Sequence, residues 1–248
     1  RNQRLSVEPS GILTACEDGY VRLWSLPQDN PRALFDATKT ASESLAISSW
    51  VDDDNAQKLY LRFADHSIGI LDPELNLRRI SGPPADRLGK LCITPGGECA
   101  IVATPTELVC INLQSGLTMC RVDKHDVEQN CTSMLVVDGE LFALFNDHVM
   151  VMEVETLREK HIHQLPDDNA GQLVRVPGGD TILVLADEHI HELKHGKLST
   201  VATSASSAEN YDGITFSQSG EQYAIRCANG SVRLDSRDGR TPSRLLLG

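Results

Sequence analysis

Apolar and polar positions follow a repeating pattern along the whole chain. Short apolar stretches, such as Ala100–Val102 and Ile182–Leu185, alternate with small polar turns. Six turn signals begin 43, 43, 42, 40 and 41 residues apart, at Pro9, Asp52, Pro95, Val137, Pro177 and Gln218. Each signal lies between two apolar stretches, and a second polar turn leads to a third and a weaker fourth stretch. No segment carries an apolar stripe at helical spacing, so each unit is predicted to contain four short β-strands.

A period near 42 residues with four strands per unit is typical of β-propeller blades. We therefore predict an all-β fold, a single β-propeller domain of about six four-stranded blades over residues 1–248. The approximate blades are residues 1–38, 39–82, 83–124, 125–165, 166–205 and 206–248.

The two ends of the chain bear on ring closure. The first unit has its own first strand at Leu5–Val7, and the last unit has its own fourth strand at Leu245–Leu247. Either six blades close without a shared strand, or the chain is part of a seven-bladed ring. Because the sequence does not begin with Met, we expect it to be a piece of a longer protein.

Thr14, Asp18 and Trp24 of the first unit have a distinctive spacing. They resemble the WD-repeat family, in which a Ser or Thr on the second strand, an Asp in the next turn and a Trp on the third strand form a buried hydrogen-bonded set. Other units keep parts of the pattern, at Asp65, Asp72 and Asp187. The resemblance implies a divergent WD-like β-propeller. Such propellers mostly serve as assembly platforms or as sensor domains in larger proteins.

The charge of the chain restricts its partners. The formal net charge is −12, whereas binding to a nucleic-acid backbone or an anionic membrane needs clustered positive charge. Aromatic residues are only 4% of the chain, so platforms for base stacking are scarce. No apolar run approaches the ~20 residues of a membrane span. We expect one or more protein partners, with a basic face, and neither nucleic acid nor membrane.

The seven cysteines predict a reducing compartment. None belongs to a C-x-x-C pair, and several, such as Cys92 and Cys110, lie inside apolar runs. Cysteines in such positions behave as small buried hydrophobic residues. We therefore expect free thiols, a cytoplasmic location, and no cofactor or metal.

Histidine motifs offer two possible metal sites. His191 to His195 reads H-E-x-x-H, which binds zinc on a helix. The repeat places this segment on a third strand, where residues four apart lie ~13 Å apart, too far to share an ion. The pairs His161/His163 and His189/His191 could each chelate from one strand face. No third ligand is identifiable, which favours solvated histidines.

Three histidines recur at one position of the repeat, between the second and third strands of their units, next to acidic residues. The candidate partner-binding rim consists of Asp65, His66, Asp147, His148, Asp187 and His189. This pattern fits a rim that binds a partner, responds to pH or binds a metal. It also fits ordinary turn composition.

The favoured hypothesis is a non-catalytic protein–protein interaction scaffold or sensor domain of a larger protein or complex, which binds through loops on a propeller face. We do not expect an enzyme. The alternative is a propeller-type hydrolase or lactonase with a metal in the central channel. A third hypothesis is a structural subunit whose ring is completed by another chain or segment.

Overall fold

The computed structural model describes the backbone of residues 3–8, 11–15, 20–24, 32–36, 47–53, 58–63, 65–72, 76–83, 90–123, 130–166, 169–203, 210–217, 219–236 and 244–246. Side chains are described from residue 58 to residue 236 within these ranges. Among the described residues, no helix is long and apolar enough to cross a membrane.

The described strands form four-stranded antiparallel sheets, each built from four consecutive strands. Sheet 1 contains β1 (Gln3–Glu8), β2 (Gly11–Ala15), β3 (Tyr20–Trp24) and β4 (Arg32–Asp36). Sheet 2 contains β5 (Ile47–Asp53), β6 (Lys58–Phe63), β7 (Ile68–Leu71) and β8 (Leu77–Ile80). Sheet 3 contains β9 (Lys90–Ile93), β10 (Cys99–Ala103), β11 (Glu107–Asn112) and β12 (Thr118–Asp123).

The remaining strands continue the same order. Sheet 4 contains β13 (Ser133–Val137), β14 (Glu140–Leu144), β15 (His148–Glu153) and β16 (Glu159–Gln164). Sheet 5 contains β17 (Ala170–Arg175), β18 (Ile182–Ala186), β19 (His189–Lys194) and β20 (Lys197–Thr203). Sheet 6 contains β21 (Tyr211–Phe216), β22 (Gln222–Cys227), β23 (Val232–Ser236) and β24 (Arg244–Leu246).

The fold is all-β and belongs to the β-propeller class, as the repeat predicts. The described strands form six sheets of four strands each, the number of blades that the repeat predicts, and side chains are described in sheets 2 to 6. Sheet 1 has the pairing of a four-stranded sheet, but its side chains lie outside the described part of the chain.

The chain forms two compact units, Arg1–His125 and Asp126–Gly248. In the first unit, β5 lies against β9, and apolar side chains from sheets 2 and 3 form one core that includes Tyr60, Ile70 and Val109. In the second unit, β13 lies against β17 and β17 against β21. One core lies between sheets 4 and 5 and another between sheets 5 and 6. Each of sheets 2 to 6 therefore buries a face against a neighbour in the same unit, as stacked blades must.

The fourth strands of sheets 3, 4 and 5 each contain a β-bulge. The pairing of each with the third strand skips one residue, which is Met119, Lys160 or Val201. A bulge twists an edge strand and changes the direction of a side chain. Sequence alternation alone does not reveal this irregularity.

Three predicted boundaries are wrong. Asp52 and Asp53 belong to β5 instead of forming a turn. His148 and His189 are the first residues of β15 and β19 instead of turn residues. Polar composition resembles that of a turn in all three cases, but strand pairing extends further than the apolar stretch does.

Candidate functional site

The six predicted rim residues lie at the junctions between the second and third strands of sheets 2, 4 and 5. Asp65 and His66 belong to the first unit, and the other four residues belong to the second unit. We call the three junctions the acidic turns, at residues 65–67, 146–148 and 187–189; the last two include the first strand residues that follow, His148 and His189.

In the acidic turn of sheet 2, side chains hold the carboxylate of Asp65. One oxygen accepts hydrogen bonds from the backbone N–H of Ser67 at 3.0 Å and from the Ser67 hydroxyl at 2.6 Å. The other oxygen accepts a bond of 2.5 Å from the Arg79 guanidinium. Burial by itself raises the pKa of Asp65, but the bonds from Ser67 and Arg79 outweigh it and lower the pKa below its ordinary value.

A buried arginine also donates a hydrogen bond to the backbone of this turn. Arg62 is 0% exposed, and its guanidinium donates to the carbonyl oxygens of His66 and Pro83. Burial lowers the pKa of Arg62 to about 10, although the negative charge of Asp65 opposes that shift. The analysis of the sequence missed Arg62, because it lies inside the apolar run of β6 and matches no motif. A single charged residue inside such a run is the signal that could have identified it.

The same geometry makes glycine necessary at position 82. A Cβ atom at Gly82 would overlap the His66 carbonyl oxygen and the Arg62 guanidinium. The backbone of His66 has a φ of 70°, in the left-handed region that most residues avoid. The connection after sheet 2 therefore passes directly against the acidic turn.

In the acidic turn of sheet 4, main-chain carbonyl oxygens accept hydrogen bonds from neighbouring segments. The carbonyl oxygen of Asn146 accepts from the N–H of Ala170 at 3.0 Å, which joins the turn to the start of sheet 5. The carbonyl oxygen of Asp147 accepts from the N–H of Leu165 at 2.7 Å. The Asp147 carboxylate lies 2.7 Å from Nδ1 of His148, and the His148 ring stacks on Phe145 with the centroids 4.8 Å apart.

The acidic turn of sheet 5 repeats this arrangement. The carbonyl oxygen of Asp187 accepts from the N–H of Tyr211 at 2.7 Å, at the start of sheet 6. The Asp187 carboxylate accepts from the Asn169 side chain at 2.9 Å. Glu188 is exposed to solvent. The ring of His189 stacks on the buried His191, with the centroids 5.7 Å apart.

Two polar side chains that the sequence analysis missed join the first strands of successive sheets. The Ser133 hydroxyl accepts from the N–H of Leu173 at 3.1 Å. The Gln172 side-chain oxygen accepts from the N–H of Ile214 at 3.1 Å. Because both residues lie in first strands, a polar residue in a first strand is a signal that could have identified them.

The WD-like set of sheet 1 is only partly described. Thr14 in β2 pairs with Arg22, and Trp24 in β3 pairs with Ile12. The side chains of Thr14 and Trp24 lie outside the described residues, as does all of Asp18.

The H-E-x-x-H segment is extended, as predicted. His191 lies in β19, and His195 lies in the following turn, where its Nδ1 is 3.1 Å from the Asp180 carboxylate. The rings of His161 and His163 are 6.4 Å apart, and burial together with His161 lowers the pKa of His163. Within the part of the chain that the structure describes, no group of three or more His, Cys, Asp or Glu residues is arranged to hold a metal ion.

The acidic turns thus present charged side chains on a backbone whose carbonyl groups at His66, Asn146, Asp147 and Asp187 accept hydrogen bonds. Such a surface can dock a partner through charge–charge contacts and hydrogen bonds. No protein-family model matches the chain, and no curated protein matches it.

Proposed function

We propose that this chain is a non-catalytic protein-interaction scaffold or sensor domain of a larger assembly, and that it binds through its acidic turns. The observation that carries the proposal is the main-chain support of the turns in sheets 4 and 5. Asn146 and Asp187 each accept an N–H bond from the first residue of the next sheet. Because these bonds hold the turn backbones, the backbone loses little conformational entropy when a partner binds.

The charge of the turns indicates the chemistry of the partner. Asp147, Asp187 and Glu188 lie at the same end of sheets 4 and 5 within one unit. The chain as a whole carries a formal net charge of −12. A partner with a basic face would be attracted and oriented by this field, and its binding would weaken as salt is added.

The proposal includes membership of the WD-repeat family, as a divergent cytoplasmic member. Its support is the Thr14, Asp18 and Trp24 pattern together with the propeller class.

A double-mutant cycle of Asp18→Ala and Trp24→Leu tests the hydrogen-bonded set that the WD-repeat resemblance implies. We expect an interaction energy of about 1 kcal/mol in unfolding measurements. Additive effects of the two substitutions would contradict the family assignment.

Affinity capture from native lysate tests the proposed function. The bait is the chain itself, compared with Glu188→Lys in an acidic turn and with Glu155→Lys as a matched control. Glu155 is exposed in the turn after β15, at the other end of the strands, and its substitution makes the same change of charge. We expect a stoichiometric partner that salt releases, that Glu188→Lys loses, and that Glu155→Lys retains.

Two results would contradict the proposal. Equal capture by both variants would show that the acidic turns do not bind the partner. A metal at one per chain, released by chelator in the absence of any partner, would favour the metal-dependent enzyme instead.

A further inference from the structure

Four sulfur atoms lie on one face of sheet 3. Cys110 pairs directly with Cys120 on β12 and with Ile101 on β10. Cys99 lies two residues before Ile101 on the same strand, so it shares the face of Cys110 and Cys120. The bulge of β12 adds the fourth sulfur, from Met119.

The bulge explains how neighbouring residues reach the same face. Met119 and Cys120 together oppose Cys110, so both side chains turn toward Cys99 instead of alternating. The Sγ atom of Cys99 lies 3.5 Å from the Sδ atom of Met119. The Cys110 thiol interacts with both Cys99 and Cys120. We call Cys99, Cys110, Met119 and Cys120 the sulfur cluster.

Three members of the cluster are within reach of solvent. Met119 is 56% exposed, and Cys99 and Cys120 are half-buried. Cys110 is buried behind them at 1% exposure. All three cysteines are free thiols. The outer sulfur atoms are therefore accessible to a small ion that arrives from water.

We propose that Cys99, Met119 and Cys120 bind a soft monovalent metal ion of the Cu(I) type. Thiolate and thioether sulfur are the ligands that select Cu(I) over hard cations such as Mg²⁺. Such an ion is satisfied by two or three sulfur atoms, so the site does not require three His, Cys, Asp or Glu ligands. The 3.5 Å contact between Cys99 and Met119 already places two donors side by side.

Metal binding at this site releases protons. Each thiol that binds gives its proton to water and forms a sulfur–metal bond, with no change of oxidation state. Cys110 is buried and is not one of the three proposed ligands. Because each bound thiol loses its proton, the affinity for the metal increases with pH.

Anaerobic titration of the full chain with Cu(I), in competition with the chromogenic chelator bicinchoninate, tests the site. We expect one Cu(I) per chain, bound more tightly at about pH 8 than at about pH 6. Cys99→Ser and Cys120→Ser should lose this ion. Met119→Leu should weaken binding at least about tenfold. The matched control Met134→Leu, on β13 of the other unit, should bind as the wild-type chain does.

Circular dichroism identifies any variant that fails to fold. Met119→Leu conserves the volume of an exposed side chain, so it tests the site even where a cysteine variant does not fold. Binding that survives both Cys99→Ser and Met119→Leu would overturn the proposal. So would a fully reduced chain that binds no Cu(I).

Discussion

The acidic turns of sheets 2 and 5 share a sequence pattern but are held in different ways. In sheet 2, the side chains of Arg62, Ser67 and Arg79 bind the turn. In sheet 5, the backbone N–H of Tyr211 binds the carbonyl oxygen of Asp187. The same requirement, a donor for a turn carbonyl, is met by a guanidinium in one case and by a peptide group in the other.

The difference between side-chain donors and a backbone donor determines which substitutions each turn tolerates. A side-chain donor is lost when one residue changes, whereas a peptide donor remains under almost any substitution. The turn of sheet 2 should therefore be sensitive to single changes, and the turn of sheet 5 should resist them.

Arg62→Leu should have the largest effect. The carbonyl oxygens of His66 and Pro83 would lose the donor that reaches them. We expect a loss of about 3 kcal/mol in the free energy of unfolding, measured by urea denaturation. Arg158→Leu makes the same change at an exposed turn and should cost little. A loss below about 1 kcal/mol for Arg62→Leu would refute the role assigned to its guanidinium.

Gln172→Ala tests a side-chain contact between sheets 5 and 6. The N–H of Ile214 would lose its acceptor in a partly buried place. We expect a loss of about 1–2 kcal/mol in urea denaturation. Gln164→Ala, on the exposed fourth strand of sheet 4, is the control. Equal stability of the two variants would mean that water replaces the Gln172 oxygen without cost.

Arg79→Met should have a smaller effect on stability and a clear effect on titration. Asp65 and Arg79 are both partly exposed, so we expect a loss below about 1 kcal/mol near neutral pH. The pKa of Asp65 should rise, and ¹³C NMR of its carboxyl carbon measures that change. Arg121→Met is the control, since Arg121 is 63% exposed and 3.7 Å from Glu107.

The pH dependence follows from the lowered pKa of Asp65. The carboxylate stabilises the fold above its ordinary pKa of 3.8, and this contribution is lost as the pH falls through the lower pKa of the folded state. Arg79→Met should reduce that acid-dependent loss. An unchanged Asp65 pKa in the variant would show that Ser67 alone sets it.

Asp187→Asn should have the smallest effect. The backbone bond from Tyr211 to position 187 does not involve the side chain, so stability should change by at most about 0.5 kcal/mol. Asp65→Asn should cost more, because it removes the ion pair with Arg79. Hydrogen exchange of the Tyr211 amide measures the bond directly, and its loss in Asp187→Asn would contradict the comparison.

Much of the strand pattern could be read from the chain because it depends on neighbouring residues. Gly96 and Gly178 were placed in turns by their Pro-Gly-Gly context, and both adopt positive φ, of 89° and 73°. They join β9 to β10 and β17 to β18 as predicted. Apolar alternation and turn glycines are local signals, and a repeat presents each of them several times.

The contacts of the candidate site could not be read in the same way. Arg62 forms a hydrogen bond with Pro83, which is 21 residues away in the sequence, and Gln172 forms one with Ile214, which is 42 residues away. Nothing in the local sequence pairs these residues. The acidic residues of the turns were identified from composition, but the donors that hold them were not.

The order of strands, the class of fold and the positions of most turns thus follow from the sequence of this protein, because side-chain alternation and backbone preference act over a few residues. The tertiary structure decided which donor supports each acidic turn and which four sulfur atoms share a face of sheet 3. The donors come from residues far apart in the sequence. The sulfur arrangement depends on strand register and on a single bulged residue, Met119, because a shift of one residue moves a side chain to the opposite face.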